Sequence, residues 1–150
     1  MRQGESEKLL IKGTKTRRPA EFKVFLSNSE NKTQLFQLML KSWTSKTAAP
    51  LLKDRLVILI VEGTAHKLTS ADGTNVERNE VLSMRSSQEE YDTRFIIYTK
   101  WAQDNGYKAV CIRSSDADVF FILLNYTFSF NIAIDMDMGT KNNKKTNQYI

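Results

Sequence analysis

Two short groups of acidic residues in the sequence have a spacing suited to binding a cation. Three of these acids lie within or just after a Ser-x-x-Glu pattern at 87–90 that predicts the start of a helix: Glu89, Glu90 and Asp92. The other two, Asp116 and Asp118, follow a short apolar run that predicts a strand. Each group also has a structural interpretation, because acids stabilise the first turn of a helix and Asp116 is suited to capping the helix that follows.

Carboxylates that converge on one point repel one another and raise one another's pKa values unless a divalent cation lies between them. Sites built only from carboxylate oxygens suit Mg²⁺ or Mn²⁺. These ions serve phosphodiester hydrolysis by activating the attacking water and stabilising the leaving oxygen. If the two acidic groups meet, the five carboxylates therefore predict a metal site for phosphodiester chemistry.

Single copies of cysteine and histidine exclude several other kinds of site. Because Cys111 and His66 are the only residues of their types, the chain has no intramolecular disulfide and no Cys/His zinc site. A Ser/His/Asp or Cys/His catalytic set would have to use His66, which lies in a polar stretch and is expected on the surface. Cys111 lies within an apolar strand and is expected to be buried.

Basic residues exceed acidic ones, and the excess lies at the two ends of the chain. The sequence has 22 Lys and Arg against 17 Asp and Glu, a formal net charge of +5. Residues 1–20 hold six of the basic residues and two of the acids, and the last ten residues hold three lysines and no acid. Such clusters give sequence-independent affinity for nucleic acids, although solvated tails are their commoner explanation.

Membrane and secretory segments are not visible in the sequence. It has neither the apolar core of a signal peptide nor an apolar run of about 18 residues. It is therefore expected to be an intracellular soluble protein, in the nucleus or the cytoplasm, with no membrane partner.

Hydrophobic periodicity predicts alternating helices and strands. A Ser-x-x-Glu capping pattern at Ser27 opens the first helix, and Gly106 ends the second. The unbroken apolar run at 56–61 is typical of a strand buried on both faces of a parallel sheet, so this strand is expected to be central. The predicted elements are helices at about 30–44, 88–104 and 119–124, strands at 56–61, 109–112 and within 128–138, and a hairpin at 64–78.

This order of elements predicts an α/β protein with a mostly parallel central sheet flanked by helices, because parallel strands need crossover connections. Residues 1–20 are expected to form a flexible basic arm, and residues 140–150 a polar basic tail. The folded domain is expected to span residues 21–139.

The two acidic groups and their neighbours resemble a known family. They read Ser-Gln-Glu-Glu-Tyr-Asp-Thr-Arg at 87–94 and Arg-Ser-Ser-Asp-Ala-Asp-Val at 113–119. These motifs are similar to the metal-binding core of PIN-like domains of the flap-endonuclease and excision-repair nuclease superfamily. There a helix with Glu-x-Glu/Asp is followed about twenty residues later by a strand ending in Asp-x-Asp.

The resemblance covers roughly residues 20–139 and implies a Rossmann-like three-layer fold. The closest likeness is to uncharacterised animal and mobile-element-associated members of that superfamily. In them the motif Phe-Leu-Ser-Asn-x-Glu-Asn-Lys, here at 25–32, also recurs.

By position, the resemblance assigns Glu90 and Asp92 to the helix pair of catalytic metal ligands. It assigns Asp116 and Asp118 to the strand-end pair. Glu89 is implied as an outer ligand, although on a regular helix Glu89 and Asp92 would face the same way more naturally.

Two arginines near these motifs are interpreted as clamps for the phosphates of DNA or RNA. They are Arg94 and Arg113, and the alternative is that both are ordinary exposed arginines. Asp135 and Asp137 share one face of the last predicted strand. They either substitute for a metal ligand or protect an edge strand from pairing with another chain.

The sequence departs from the family pattern in three ways. Tyr91 stands between the helix acids, residues 1–28 contain no apolar strand with an early Asp, and no Gly-x-Asp segment follows the last strand. A partial PIN-like domain, incomplete at both ends, is therefore expected.

Two functions follow from the sequence. The first is a nuclease-like domain that hydrolyses nucleic-acid phosphodiesters with Mg²⁺ or Mn²⁺, inactive if the missing segments removed essential ligands. The alternative is a non-catalytic nucleic-acid-binding or interaction fragment, the remnant of a mobile-element protein.

Overall fold

The chain forms two compact units, where the sequence suggested one folded domain over 21–139. A computed structural model describes residues 8–13, 15–85, 93–139 and, for the backbone alone, 148–149. The units are Met1–Leu82 and Ser83–Ile150. Each has its own three-stranded sheet and its own apolar core.

The first unit consists of helices followed by an antiparallel sheet. Its elements are α1 (Phe22–Ser27), α2 (Ser29–Trp43), α3 (Ala49–Leu52), β1 (Leu56–Val61), β2 (Thr64–Thr69) and β3 (Glu77–Glu80). The strand order is β1-β2-β3, with both pairings antiparallel. The predicted helix at 30–44 and the predicted hairpin at 64–78 are therefore confirmed.

The strand β1 is not the centre of a parallel sheet. Within the described residues it pairs with β2 alone, and antiparallel. Glu62 and Gly63 have φ angles of 50° and 79° and form a two-residue turn that returns the chain at once. Only alternate side chains of β1 pack into the core with Leu68 of β2, namely Val57, Leu59 and Val61.

The N-cap of α2 lies one residue beyond the predicted one. Asn28 Oδ1 accepts hydrogen bonds from the backbone N–H groups of Glu30 at 2.9 Å and Asn31 at 3.2 Å. Ser27 is the last residue of α1, and its hydroxyl donates to the carbonyl of Val24. Because Ser27 already belongs to a helix, it cannot adopt the extended backbone that an N-cap requires.

Part of the expected flexible arm is anchored on α2. The backbone N–H of Leu9 donates to Asn31 Oδ1 at 2.9 Å, and that of Ile11 donates to Gln34 Oε1 at 2.9 Å. Gln34 Nε2 donates in return to the carbonyl of Leu9 at 3.1 Å. Two carboxamide side chains therefore make the hydrogen bonds to this segment's backbone that a neighbouring strand would otherwise make.

The second unit contains a parallel pair of strands joined through a helix. Its elements are α4 (Arg94–Asp104), β4 (Ala109–Arg113), α5 (Ala117–Tyr126), β5 (Ala133–Asp137) and β6 (Gln148–Tyr149). β4 and β5 are parallel, and β6 pairs antiparallel with β5. The prediction of mixed α and β structure is confirmed, but both sheets are small and the described residues contain no central parallel sheet. No helix of the described chain is both long and apolar enough to cross a membrane.

One face of this second sheet packs against α5. The core combines Ile112, Val119, Leu123, Ile134 and Met136. The opposite face carries the alternate residues of both strands and is largely exposed.

Cys111 lies on that exposed face, so its predicted burial is wrong. β4 is apolar, but only one of its faces is covered. β5 lies between β4 and β6, so Asp135 and Asp137 do not protect an edge strand.

Thr99 of α4 is a buried polar residue. It is 1% exposed, and within the described chain its Oγ1 atom makes no hydrogen bond. Burying an unpaired hydroxyl is unfavourable, so Thr99→Val should raise the free energy of unfolding by about 1 kcal/mol. Urea denaturation measures this change. An unchanged or lower value would mean that the hydroxyl is satisfied in solution.

Candidate functional site at the carboxyl ends of β4 and β5

Asp116 and Asp118 lie where the sequence predicts them, in the connection from β4 to α5. Asp116 is the N-cap of α5, and its Oδ1 accepts a hydrogen bond from the backbone N–H of Asp118 at 3.0 Å. The backbone N–H of Asp116 donates to Ser114 Oγ at 3.2 Å. The capping interpretation of Asp116 is therefore confirmed, and Asp118 is an exposed acid in the first turn of α5.

Asp137 reaches the same edge of the sheet from β5. In the parallel register it is the partner of Arg113, and Arg113 Nε lies 3.6 Å from Asp137 Oδ2. Asp137 also accepts hydrogen bonds from Gly139 through Oδ1 at 3.0 Å and from Ser114 through its carbonyl at 3.1 Å. We call Asp116, Asp118 and Asp137 the acidic edge.

The ion pair between Arg113 and Asp137 is weak. The two side chains are 83% and 46% exposed. Exposed ion pairs contribute roughly 0–1 kcal/mol. Arg113 therefore remains accessible to an anion that approaches the acidic edge.

Three of the predicted metal ligands, Glu89, Glu90 and Asp92, lie outside the described residues. Within the described part of the chain, no three His, Cys, Asp or Glu side chains come together as a metal site. The acidic edge alone therefore does not form a cation site.

Asp135 is a further acid, which the sequence associated either with a substitute metal ligand or with strand protection. It lies two residues before Asp137 on the same face of β5, which separates their Cα atoms by about 7 Å. Its Oδ1 atom is buried and, among the described residues, has no hydrogen-bond partner. A buried carboxylate oxygen is costly unless a donor or a cation compensates it.

Arg94 differs from the prediction because it is only 8% exposed. It lies at the start of α4, four residues before Tyr98. Burial raises the pKa of Tyr98, and the charge of Arg94 and a hydrogen bond from it oppose this rise. A buried arginine presents little surface to a phosphate backbone, so of the two predicted clamps only Arg113 has the expected exposure.

His66 lies half-buried on β2 in the first unit. Arg78 Nε donates to its Nδ1 atom at 3.4 Å. Burial and the charge of Arg78 lower the pKa of His66, while Glu80 acts in the opposite direction. Burial and the charge of Arg78 both favour the neutral form of the imidazole.

No protein-family model matches this chain, and neither a curated protein nor a solved structure matches it.

Proposed function

We propose that the Ser83–Ile150 unit is a PIN-like, nuclease-like domain that hydrolyses DNA or RNA phosphodiesters with Mg²⁺ or Mn²⁺. The observation that supports this function is the acidic edge. Its members lie at or just beyond the carboxyl ends of two adjacent parallel strands, the end of the sheet where α/β proteins bind ligands. The crossover from β4 through α5 to β5 supports the finer proposal of a mostly parallel, Rossmann-like three-layer fold.

The proposed cation site needs ligands from both predicted groups. Asp118 is the most suitable ligand of the acidic edge, because it contributes its backbone N–H to the capping bond and not its carboxylate. Glu90 and Asp92, with Glu89 as an outer ligand, would complete the set. A bound divalent cation would neutralise phosphate charge and favour attack by water.

Arg113 has a supporting role in this proposal. Its guanidinium is exposed beside Asp137, to which it is bound only loosely. A phosphate would compete well for it, because charge-assisted contacts of arginine with phosphate are strong and often bidentate. Arg113 would therefore orient the substrate without contributing to the cation site.

Cleavage assays with Mn²⁺ test the function directly. We expect Asp118→Asn to lower the cleavage rate of branched or single-stranded oligonucleotides by about a hundredfold, the size typical for losing one transition-state contact. At the cap of α5, Asp116→Asn removes the carboxylate but preserves the fold, because asparagine also caps helices well. The matched control is Asp104→Asn, which removes one exposed carboxylate of the same unit from a surface pair with Lys100.

Cation binding is measured separately from cleavage. Mn²⁺ should raise the melting temperature of the native chain and of Asp104→Asn, since a ligand that binds only the folded state stabilises it. The increase should be smaller for Asp118→Asn. Cleavage that persists unchanged in Asp118→Asn would contradict the proposal.

The second candidate is a non-catalytic nucleic-acid-binding or interaction module, a remnant of a mobile-element protein. It is favoured by the present engagement of two acids: Asp116 caps α5, and Asp137 is bound by Gly139 and faces Arg113. This module would bind oligonucleotides with an affinity that falls as salt rises, and would cleave none with any cation.

A further inference from the structure

A cavity in the Met1–Leu82 unit has no part in the proposed function. It lies between residues 9–13 and 16–19 on one side and the first two helices on the other, and its volume is about 170 Å³. Its apolar walls come from Leu9, Ile11, Phe22, Phe25, Leu35 and Leu38. An apolar cavity of roughly 150 Å³ is large enough to hold benzene.

The segment that closes this cavity is fixed at two places. Leu9 and Ile11 are hydrogen-bonded to side chains of α2, as described above. Beyond them, Thr16 Oγ1 accepts hydrogen bonds from the backbone N–H groups of Lys12 at 3.0 Å and Gly13 at 3.2 Å. The backbone around the cavity is therefore held in place before any ligand binds, which lowers the entropic cost of binding.

The rim of the cavity is positively charged. Arg17 and Arg18 line it, and none of the described lining residues is acidic. The Cζ atom of Arg18 lies 5.0 Å from the centre of the Phe22 ring, so a cation–π contact holds this guanidinium beside the apolar wall. Guanidinium groups bind carboxylates with two parallel hydrogen bonds.

We propose that this cavity binds a small organic anion in which a single aryl or branched alkyl group carries a carboxylate. The apolar group would fill the cavity, and the carboxylate would bind Arg17 and Arg18 at the rim. The same chemistry has two possible sources, a free acid or the last residue of a peptide that ends in phenylalanine or leucine.

Titration of the full chain with 3-phenylpropionate, followed by NMR, tests this site. We expect a dissociation constant of about 1 mM for about eleven non-hydrogen atoms. The chemical shifts that change should belong to residues lining the cavity. The uncharged amide, 3-phenylpropanamide, should have a dissociation constant at least about tenfold higher, because it lacks the charge that the arginines recognise.

Two variants separate the contributions of charge and cavity. The double variant Arg17→Gln/Arg18→Gln should weaken binding of the acid about tenfold or more and leave binding of the amide unchanged. Lys41→Gln/Arg55→Gln is its control, since it removes two exposed charges of the same unit that do not line the cavity. Leu9→Phe should weaken both ligands, because Leu9 is 38% exposed and the larger ring can enter the cavity without displacing the core.

The source of the ligand is distinguished with two peptides that end in phenylalanine, one with a free carboxylate and one amidated. If 3-phenylpropionate binds, the site accepts a free acid; if only the peptide with the free carboxylate binds, the site accepts a peptide end. The proposal is overturned if neither 3-phenylpropionate nor this peptide changes the chemical shifts of the cavity residues. It is also overturned if 3-phenylpropionate and its amide bind equally well to the native chain. NMR spectra of each variant without ligand verify that it is folded.

Discussion

Replacing Leu123 with alanine should lower the free energy of unfolding of the Ser83–Ile150 unit by about 2–5 kcal/mol. Leu123 is fully buried on α5 and packs with Ile112, Ile134 and Met136 from the sheet. Its side chain fills the space between helix and strands, so its removal leaves a cavity that the surrounding backbone can close only in part.

The adjacent residue provides a matched control. Leu124→Ala removes the same atoms one position along the same helix, but Leu124 is 42% exposed. Leu124→Ala should lower the free energy of unfolding by about 1 kcal/mol or less, because the removed atoms bury less apolar area. Chemical denaturation of both variants measures the difference. Equal losses for the two variants would show that α5 packs in another orientation.

The chain also allows a test of how independent its two units are. If Met1–Leu82 and Ser83–Ile150 unfold in separate transitions, Leu123→Ala should shift only one of them. A single transition that shifts as a whole would mean that the units unfold cooperatively.

The sequence could not identify the buried face of α5. Its apolar run is continuous from Val119 to Leu124, so helical periodicity gives no preferred face. The two residues compared above, Leu123 and Leu124, are chemically identical in the sequence. Only the position of β4 and β5 distinguishes them, and that depends on contacts distant in the chain.

The apolar run of β1 shows a related difficulty. Six consecutive apolar residues predict burial on both faces, but they contain no information about the direction of the neighbouring strand. The direction is set by Glu62 and Gly63, whose left-handed backbone makes a tight hairpin turn. The dipeptide is a weaker turn signal than Asn-Gly, because glutamate is uncommon at this φ.

The candidate site was more predictable where local chemistry decides the structure. The position of Asp116 and Asp118 after β4, and the capping role of Asp116, follow from residue types within a few positions of each other. The burial of Arg94 could not be predicted in this way, because arginine is mostly exposed in folded proteins and its neighbours in the sequence do not indicate otherwise. Asp137 came within reach of Arg113 through parallel pairing, which is also a long-range feature.

The motif Phe-Leu-Ser-Asn-x-Glu-Asn-Lys at 25–32 contains two asparagines with structural roles that the sequence did not indicate. Asn28 caps α2. Asn31 is fully buried, accepts a hydrogen bond from Leu9 and donates to the carbonyl of Phe25 at 3.1 Å. One side chain therefore connects the anchored segment, α1 and α2.

Replacing Asn31 with alanine should lower the free energy of unfolding of the Met1–Leu82 unit by about 2–3 kcal/mol. The variant leaves the N–H of Leu9 without its acceptor, and the carbonyl of Phe25 keeps only the longer hydrogen bond from the backbone N–H of Asn28 at 3.4 Å. The segment before α1 should also open more often, so trypsin should cleave faster after Lys12 and Lys15.

Gln37→Ala separates this effect from a general loss of polar contacts on α2. Gln37 also makes one side-chain hydrogen bond, to Glu62 Oε2 at 2.9 Å, but the bond is exposed. Water replaces an exposed partner at little cost, so the expected loss is about 0.5 kcal/mol or less and proteolysis should be unchanged. If Asn31→Ala behaved like Gln37→Ala in both measurements, water would already have access to Asn31. The segment at residues 9–11 would then not be anchored to α2 in solution.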